Sequence, residues 1–131
     1  MSEPVSRGLL DTSVFIAEEA GRSLGTLPEI AAVSVVTAAE LYLGVLAASE
    51  PGVRAQRLRT LSSVESLFDP LPVDVAVARI FAELVDDARR TDLHPGIMDT
   101  WIAATAVAHG LPVYTQDEGF ERIPRVTVIR V

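Results

Sequence analysis

Short apolar runs alternating with longer helical stretches constrain this chain more than any other feature. Arg7-Gly8-Leu9-Leu10 reads as a strand ending at Asp11, and Val14 to Ala20 as a helix stopped by Gly21. Glu29 to Val35 is a second strand. Thr37 to Ala48 follows as a helix, opening with the capping-box pattern Thr37-Ala38-Ala39-Glu40 and closing before the breaker cluster Glu50-Pro51-Gly52. In Val53 to Leu67 the apolar residues Leu58, Leu61, Val64 and, just beyond, Phe68 recur at helical spacing. Asp69 to Val73 is extended, because each proline biases its predecessor away from helix. Asp74 to Arg90 carries the clearest stripe, Val77, Ile80, Phe81, Leu84, Val85 and Ala88, with Arg89 and Arg90 where the helix dipole favours cations. Beyond the loop Thr91 to Gly96, an alanine-rich helix runs from Met98 to His109. Val113 to Thr115 is a strand, Asp117 to Glu121 a turn or brief helix, and Val126 to Val131 a final strand. This alternation indicates an α/β sandwich with a short, mainly parallel central sheet. The 131 residues, without repeat or Gly/Ser linker, amount to about one domain spanning 1–131.

Composition narrows the chemistry. With 49% hydrophobic residues the chain is not disordered overall. It has no cysteine, which excludes a disulfide framework, a thiolate zinc site and a cysteine nucleophile. It has no lysine either: all 11 basic residues are arginine, which excludes P-loop and Schiff-base chemistry. Only His94 and His109 could serve as histidine ligands or bases. The formal charge of −7 runs against the basic stripe of a simple nucleic-acid binder. The N-terminal stretch lacks an apolar targeting region, and the longest apolar run, Leu41 to Ala48, is far short of the ~18 residues of a membrane span. The expected location is the cytoplasm, with no membrane contact.

Ligands of parallel sheets bind outside the carboxyl ends of the strands. Asp11 ends the first strand and Asp117 follows the strand at Val113. Glu40 and Asp99 fall in the opening turns of two helices. Each has a plain structural explanation. Asp11 fits an N-cap, Glu40 the reciprocal position of its capping box, and Asp99 a first-turn acid; Thr115-Gln116-Asp117-Glu118 fits another box, and Asp117 could cap a turn. Their coincidence at one sheet edge favours a shared cleft, since clustered carboxylates repel unless a cation is present.

Four segments carry a resemblance: Leu10-Asp11-Thr12-Ser13; Ser34-Val35-Val36-Thr37-Ala38-Ala39-Glu40-Leu41 with Gly44; Asp99-Thr100-Trp101-Ile102-Ala103-Ala104-Thr105-Ala106 with Gly110; and Thr115-Gln116-Asp117-Glu118-Gly119-Phe120. In order and spacing they resemble PIN-domain proteins, specifically the VapC-type toxins of bacterial toxin–antitoxin pairs. The resemblance implies a PIN-like α/β/α sandwich and a Mg²⁺- or Mn²⁺-dependent endoribonuclease. By matching position, Asp11, Glu40, Asp99 and Asp117 would be the catalytic and metal-binding acids, with Thr115 and Thr12 supporting them. Glu118 or Glu121 could add a fifth acid. It also implies a cognate VapB-like antitoxin whose C-terminal tail enters the acidic cleft, a homodimer, and a heterotetramer or larger assembly.

Mg²⁺ prefers carboxylate oxygens and water, and metal-activated hydrolysis needs no lysine or cysteine, which the chain lacks, and no histidine, of which it has only two. RNA binding must overcome the net charge; Arg79, Arg89 and Arg90 are candidates, while Arg54, Arg57 and Arg59 read as a solvated face. Trp101 is expected in the core rather than stacked on a base. A phosphatase of the haloacid-dehalogenase type would need Asp-x-Asp and a lysine, which Asp11-Thr12-Ser13 and the lysine-free composition oppose. The remaining alternative is a catalytically silent PIN-like module that binds RNA or protein.

Overall fold

The computed structural model describes residues 4–131. Four short strands, β1 (Arg7–Leu10), β2 (Ile30–Ala32), β3 (Val113–Thr115) and β4 (Val128–Arg130), pair in the order β2-β1-β3-β4, all parallel. Five helices connect them: α1 (Thr12–Glu19), α2 (Val35–Ala47), α3 (Pro51–Leu67), α4 (Val75–Arg90) and α5 (Ile97–Ala108). A 3₁₀ turn, Glu118–Arg122, joins β3 to β4.

Alternation along the strands builds the two faces, because successive strand side chains point to opposite sides. Leu9 and Val113 enter one apolar cluster with Val77, Leu84, Ile102 and Phe120. Their neighbours Leu10 and Tyr114 enter the other, with Val14, Phe15, Leu61 and Val64. Helices α4 and α5 therefore cover one face and α1 and α3 the other. Helix α2 reaches both, through Val36 on one side and Leu41 and Val45 on the other. The result is an α/β/α sandwich. Gly8 leaves the space that the Tyr114 ring fills: a Cβ there would stand 2.2 Å from Tyr114 Cε1.

Several boundaries differ from the sequence reading. Helix α2 begins at Val35, with Ser34 as its cap: the Ser34 hydroxyl accepts from Val36 N at 3.0 Å. Thr37 is therefore inside the helix, and Glu40 is no capping-box partner. Pro51 opens α3 instead of ending what precedes it, a position where its missing N–H costs nothing. Leu58 is exposed, so only Leu61 and Val64 of that stripe are buried. Thr115 belongs to β3, and Asp117 caps the following turn. Trp101 stacks on Phe81 between α4 and α5, with ring centroids 3.6 Å apart, as a core residue. Among the described residues no helix is long and apolar enough to cross a membrane.

Candidate active site

The chain runs from β1 to β2 on one side of the sheet and later returns to β3 on the other. Adjacent strands whose connections leave in opposite directions open a crevice at their carboxyl ends. Asp11 and Asp117 stand at that crevice. Asp11 N–H donates to the Tyr114 carbonyl at 2.9 Å, continuing the β1–β3 ladder by one residue. Its side chain is 3% exposed, and Oδ2 accepts from Ser13 N at 3.3 Å, capping α1. The same oxygen accepts from the Thr115 hydroxyl at 2.9 Å. Capping and cleft placement are thus one arrangement, not rival explanations of Asp11.

Thr115 ties the two strand ends together. While its proton goes to Asp11, its oxygen accepts from Asp117 N at 2.9 Å and lies 3.1 Å from the Ser13 hydroxyl. Ser13 Oγ in turn accepts from Gln116 N at 3.0 Å. Asp117 Oδ1 accepts from Gly119 N at 2.8 Å, which sets the turn beyond it. The absent side chain of Gly119 matters here, since a Cβ would lie 3.2 Å from Asp117 Oδ1 and 3.4 Å from Asp99 Oδ2.

The other two acids come from helices. Asp99 sits in the first turn of α5, whose cap, Gly96, offers no side chain. Glu40 sits on α2, where Glu40 Oε1 accepts from the Thr12 hydroxyl at 2.7 Å. Electrostatics shows that the four share one environment. Burial, then the charges of Asp11, Asp117 and Glu40, push the Asp99 carboxyl up to about 7. Burial raises Asp11, against the opposing effect of the Ser13 and Thr115 hydrogen bonds. Burial also raises Glu40; the Thr12 bond opposes it and the Asp11 and Asp117 charges add to it.

Among the described residues no three acidic groups converge into a finished metal cage. Asp99 and Asp117 nevertheless flank the same glycine, 3.4 and 3.2 Å from where Gly119 would carry a Cβ, and Thr115 bonds both Asp11 and the Asp117 backbone, so these acids face one crevice. A hard cation that keeps several waters needs only one or two direct carboxylates, so this oxygen-only donor set fits Mg²⁺ or Mn²⁺. Carboxylates this crowded either hold a proton or receive a cation.

The remaining candidates separate. Helices α4 and α5 pack as a hairpin, which puts the carboxyl end of α4 beside the Asp99 end of α5. Arg89 lines a cavity of about 210 Å³ there with His94, Pro95, Ile97 and Thr100. Arg79 is ten residues earlier on α4, about 15 Å along the axis. Arg90 pairs with Asp86 at 2.8 Å on the exposed face. Arg57 is no solvated residue: Nη1 donates to the Gly44 carbonyl at 2.7 Å, locking α3 to α2. Glu121 lies 3.5 Å from Arg130, while Glu118 is exposed. A cavity of about 200 Å³ lined by Ile16, Glu19, Glu40, Leu41, Gly44 and Arg57 opens beside Glu40. Sequence reasoning alone assigns no role to Ser13 and only a capping-box role to Thr37, whereas the hydroxyls of both join the network. The signal for Thr37 is its spacing, since residues three apart share a helix face and Glu40 follows it by three.

A family description, PIN domain, matches residues 8–126. Ribonuclease VapC5 of Mycobacterium tuberculosis is 46% identical over 136 residues, covering 100% of both chains. Ribonuclease VapC4 of the same organism is 47% identical over 132 residues, covering 97% of this chain and 98% of the relative. Among solved structures, VapBC-5 of M. tuberculosis, a member of the VapBC family of toxin–antitoxin systems, aligns with a TM-score of 0.85. It is 45% identical and covers 96% of this chain and 99% of its own. FitAcB of Neisseria gonorrhoeae aligns with a TM-score of 0.74 at 32% identity, covering 92% and 95%.

Proposed function

The chain belongs to the PIN-domain family and, within it, to the VapC group, and on that premise we propose that it is a metal-dependent endoribonuclease, the toxin of a type II toxin–antitoxin pair. The observation that carries this reading is the approach of the strand-end acids Asp11 and Asp117, joined through Thr115, to Asp99 across Gly119; burial and the neighbouring charges raise the Asp99 carboxyl accordingly. Such crowding costs stability when no ligand is present. Asp11, Glu40, Asp99 and Asp117 would hold one or two Mg²⁺ or Mn²⁺ ions. When bound, a divalent cation supplies a water nucleophile near neutral pH and neutralises charge on the scissile phosphate.

The chain's own residues prepare that site. Thr115 and Thr12 donate to Asp11 and Glu40 and so hold both carboxylates as oriented acceptors. Asp99, whose carboxyl is raised by burial and neighbouring charge, would release its proton to solvent on cation binding. Water then adds to phosphorus as the bond to the 3′-oxygen breaks, and the proton lost by water ends on that oxygen. The products carry 5′-phosphate and 3′-hydroxyl ends. Arg89, at the Asp99 end of the α4–α5 hairpin, would meet the RNA backbone. A homodimer would add arginines from a second subunit, Arg79 and Arg90 among them.

The toxin reading implies a VapB-like antitoxin, in a heterotetramer or larger. The chemistry of the crevice describes its tail: apolar anchors, and an Arg or Lys whose charge replaces the cation. The test is cleavage of RNA by the purified protein. Activity is expected with Mg²⁺ or Mn²⁺ and none in EDTA. Asp11→Asn, Glu40→Gln, Asp99→Asn and Asp117→Asn should each lower the rate by ~10²-fold or more with unchanged circular dichroism. Full activity in EDTA would overturn the metal-dependent reading, and RNA binding without cleavage under any condition would point to a silent binding module.

A further inference from the structure

The turn that ends α4 builds a cavity beside Asp99. Asp92 takes the left-handed backbone, with φ 55°, and the next N–H, that of Leu93, donates back to the Ala88 carbonyl at 2.8 Å. This is a Schellman closure, in which the residue after the left-handed one folds back toward the helix it follows. Leu93, Val85 and Ala88 therefore line the cavity of about 210 Å³ from the α4 side, and Pro95, Ile97 and Thr100 line it from the α5 side. Single apolar residues on a surface need no explanation. Here two of them share one cavity while keeping 36% (Leu93) and 66% (Ile97) of their surface exposed.

Polar groups accompany them. Arg89 lines the cavity and makes no ion pair among the described residues, whereas its neighbour Arg90 is held by Asp86. His94 lines it too, with its ring Nε2 3.2 Å from Asp92 Oδ1. No backbone hydrogen bond within the described residues engages the His94 N–H or the carbonyls of Leu93 and His94. Size and charge select the occupant. The volume is below the ~300 Å³ at which pockets for drug-sized ligands begin, so it suits one flat ring. A cation without a partner favours a ring that carries an anion beside it. Unstacked bases of single-stranded RNA are held in this way, against His rings or Arg guanidinium planes, with their edges read by nearby polar groups. A basic antitoxin tail would instead set like charge against Arg89.

We propose that the cavity at the α4–α5 corner is a subsite for one unstacked nucleobase adjoining the scissile bond, walled by Leu93, Pro95 and Ile97, with Arg89 on the phosphate that joins it to the nucleotide at Asp99. Ile97 and Thr100 share a face of α5, and Asp99 lies on the adjoining face of the same turn, about 3 Å from Ile97 along the axis. One nucleotide in the crevice and its neighbour in the cavity are thus held together. The subsite selects the base that flanks the cut. The acids cannot, because the phosphate they act on is the same in every nucleotide.

This inference rests on the nuclease reading, and two measurements separate them. In the first, methyl NMR spectra are followed in EDTA as each of the four nucleoside 5′-monophosphates, or ribose 5-phosphate, is added. At least one mononucleotide should shift the Leu93 and Ile97 methyl signals, and ribose 5-phosphate, which has no base, should not. Ile97→Ser should weaken that binding about tenfold, and Ile97→Val should keep it within about twofold. In the second, a random-sequence RNA pool is cut with Mn²⁺ and the new 5′-phosphate ends are sequenced. Wild type should prefer one base at a position flanking the cut. Ile97→Ser should lose that preference, with preferences at other positions and Mn²⁺ affinity measured without RNA unchanged. Arg89→Gln should raise KM about tenfold and leave the base preference intact. A base profile unaltered by Ile97→Ser, or ribose 5-phosphate acting like the mononucleotides, would overturn the proposal. Methyl signals that move with a peptide of the antitoxin tail and with no nucleotide would also overturn it and assign the cavity to a protein partner. A wild type that binds mononucleotides in the cavity but cuts no RNA would remove the nuclease reading and leave the base subsite standing.

Discussion

Asp99 shows how a single side chain can oppose the fold that holds it. Its carboxyl titrates near 3.8 in an unfolded chain and about 7 in the folded one. Between those values the folded protein binds a proton that the unfolded chain has released, so stability falls as pH rises through the interval. Below about 4 both states are protonated and no penalty remains. In EDTA at pH 8, Asp99→Asn should therefore melt roughly 2–5 °C above wild type by scanning calorimetry, with the gap closing toward pH 4. A variant that melts lower at pH 8 would show that Asp99 is only a first-turn acid. Thr115 has the opposite character. Thr115→Val would take one of two donors from Asp11 Oδ2, leaving Ser13 N, and would leave Asp117 N without its acceptor; it should cost about 1–3 kcal/mol in urea unfolding, with loss of activity.

At the scale of elements, the strand ends depend on close packing. In Gly8→Ala the new methyl would stand 2.2 Å from the ring of Tyr114, which is 7% exposed and has little room to move. The substitution should lower the urea midpoint by an amount corresponding to about 1–3 kcal/mol, and wild-type stability would mean the ring can swing aside. The elements are largely legible in the sequence because their signals are local. The stripe of α4, the Asp74 cap and the breakers Gly110 and Pro112 each lie beside the boundary they set. The start of α2 is not legible in the same way, because two hydroxyls compete to cap it. Ser34 and Thr37 both satisfy the residue preference, and β2 and the Ser34–Leu71 bridge decide for Ser34. Arg57 reads as solvated because its acceptor, the Gly44 carbonyl, lies on another helix. The acids of the site can be chosen from strand-end logic and family motifs. The hydroxyls that join them cannot, because Thr12 meets Glu40 and Thr115 meets Asp11 only across elements far apart in the chain.

For the whole molecule, a ligand that fills the crevice should act as part of the fold. Saturating Mg²⁺ should raise the melting temperature of wild type more than that of Asp99→Asn, because only a native-state ligand stabilises by mass action. Equal shifts would mean that the cation binds elsewhere. A peptide of the antitoxin tail should inhibit cleavage in the same way, and neutralising its basic residue should relieve the inhibition. The sheet order adds a matter of timing. Thr115 donates to Asp11 across 104 residues, and β1 pairs with β3 over nearly the same distance. A chain still being synthesised from its N-terminus carries Asp11 and Glu40 well before Thr115 and Asp117 exist, and Asp99 only shortly before them. It therefore has no crevice until the last strands appear, at roughly 5–20 residues per second. The four acids become a site only once β3 and the turn that follows it have been made, because both the strand that aligns Asp11 and the hydroxyl that orients it come from there.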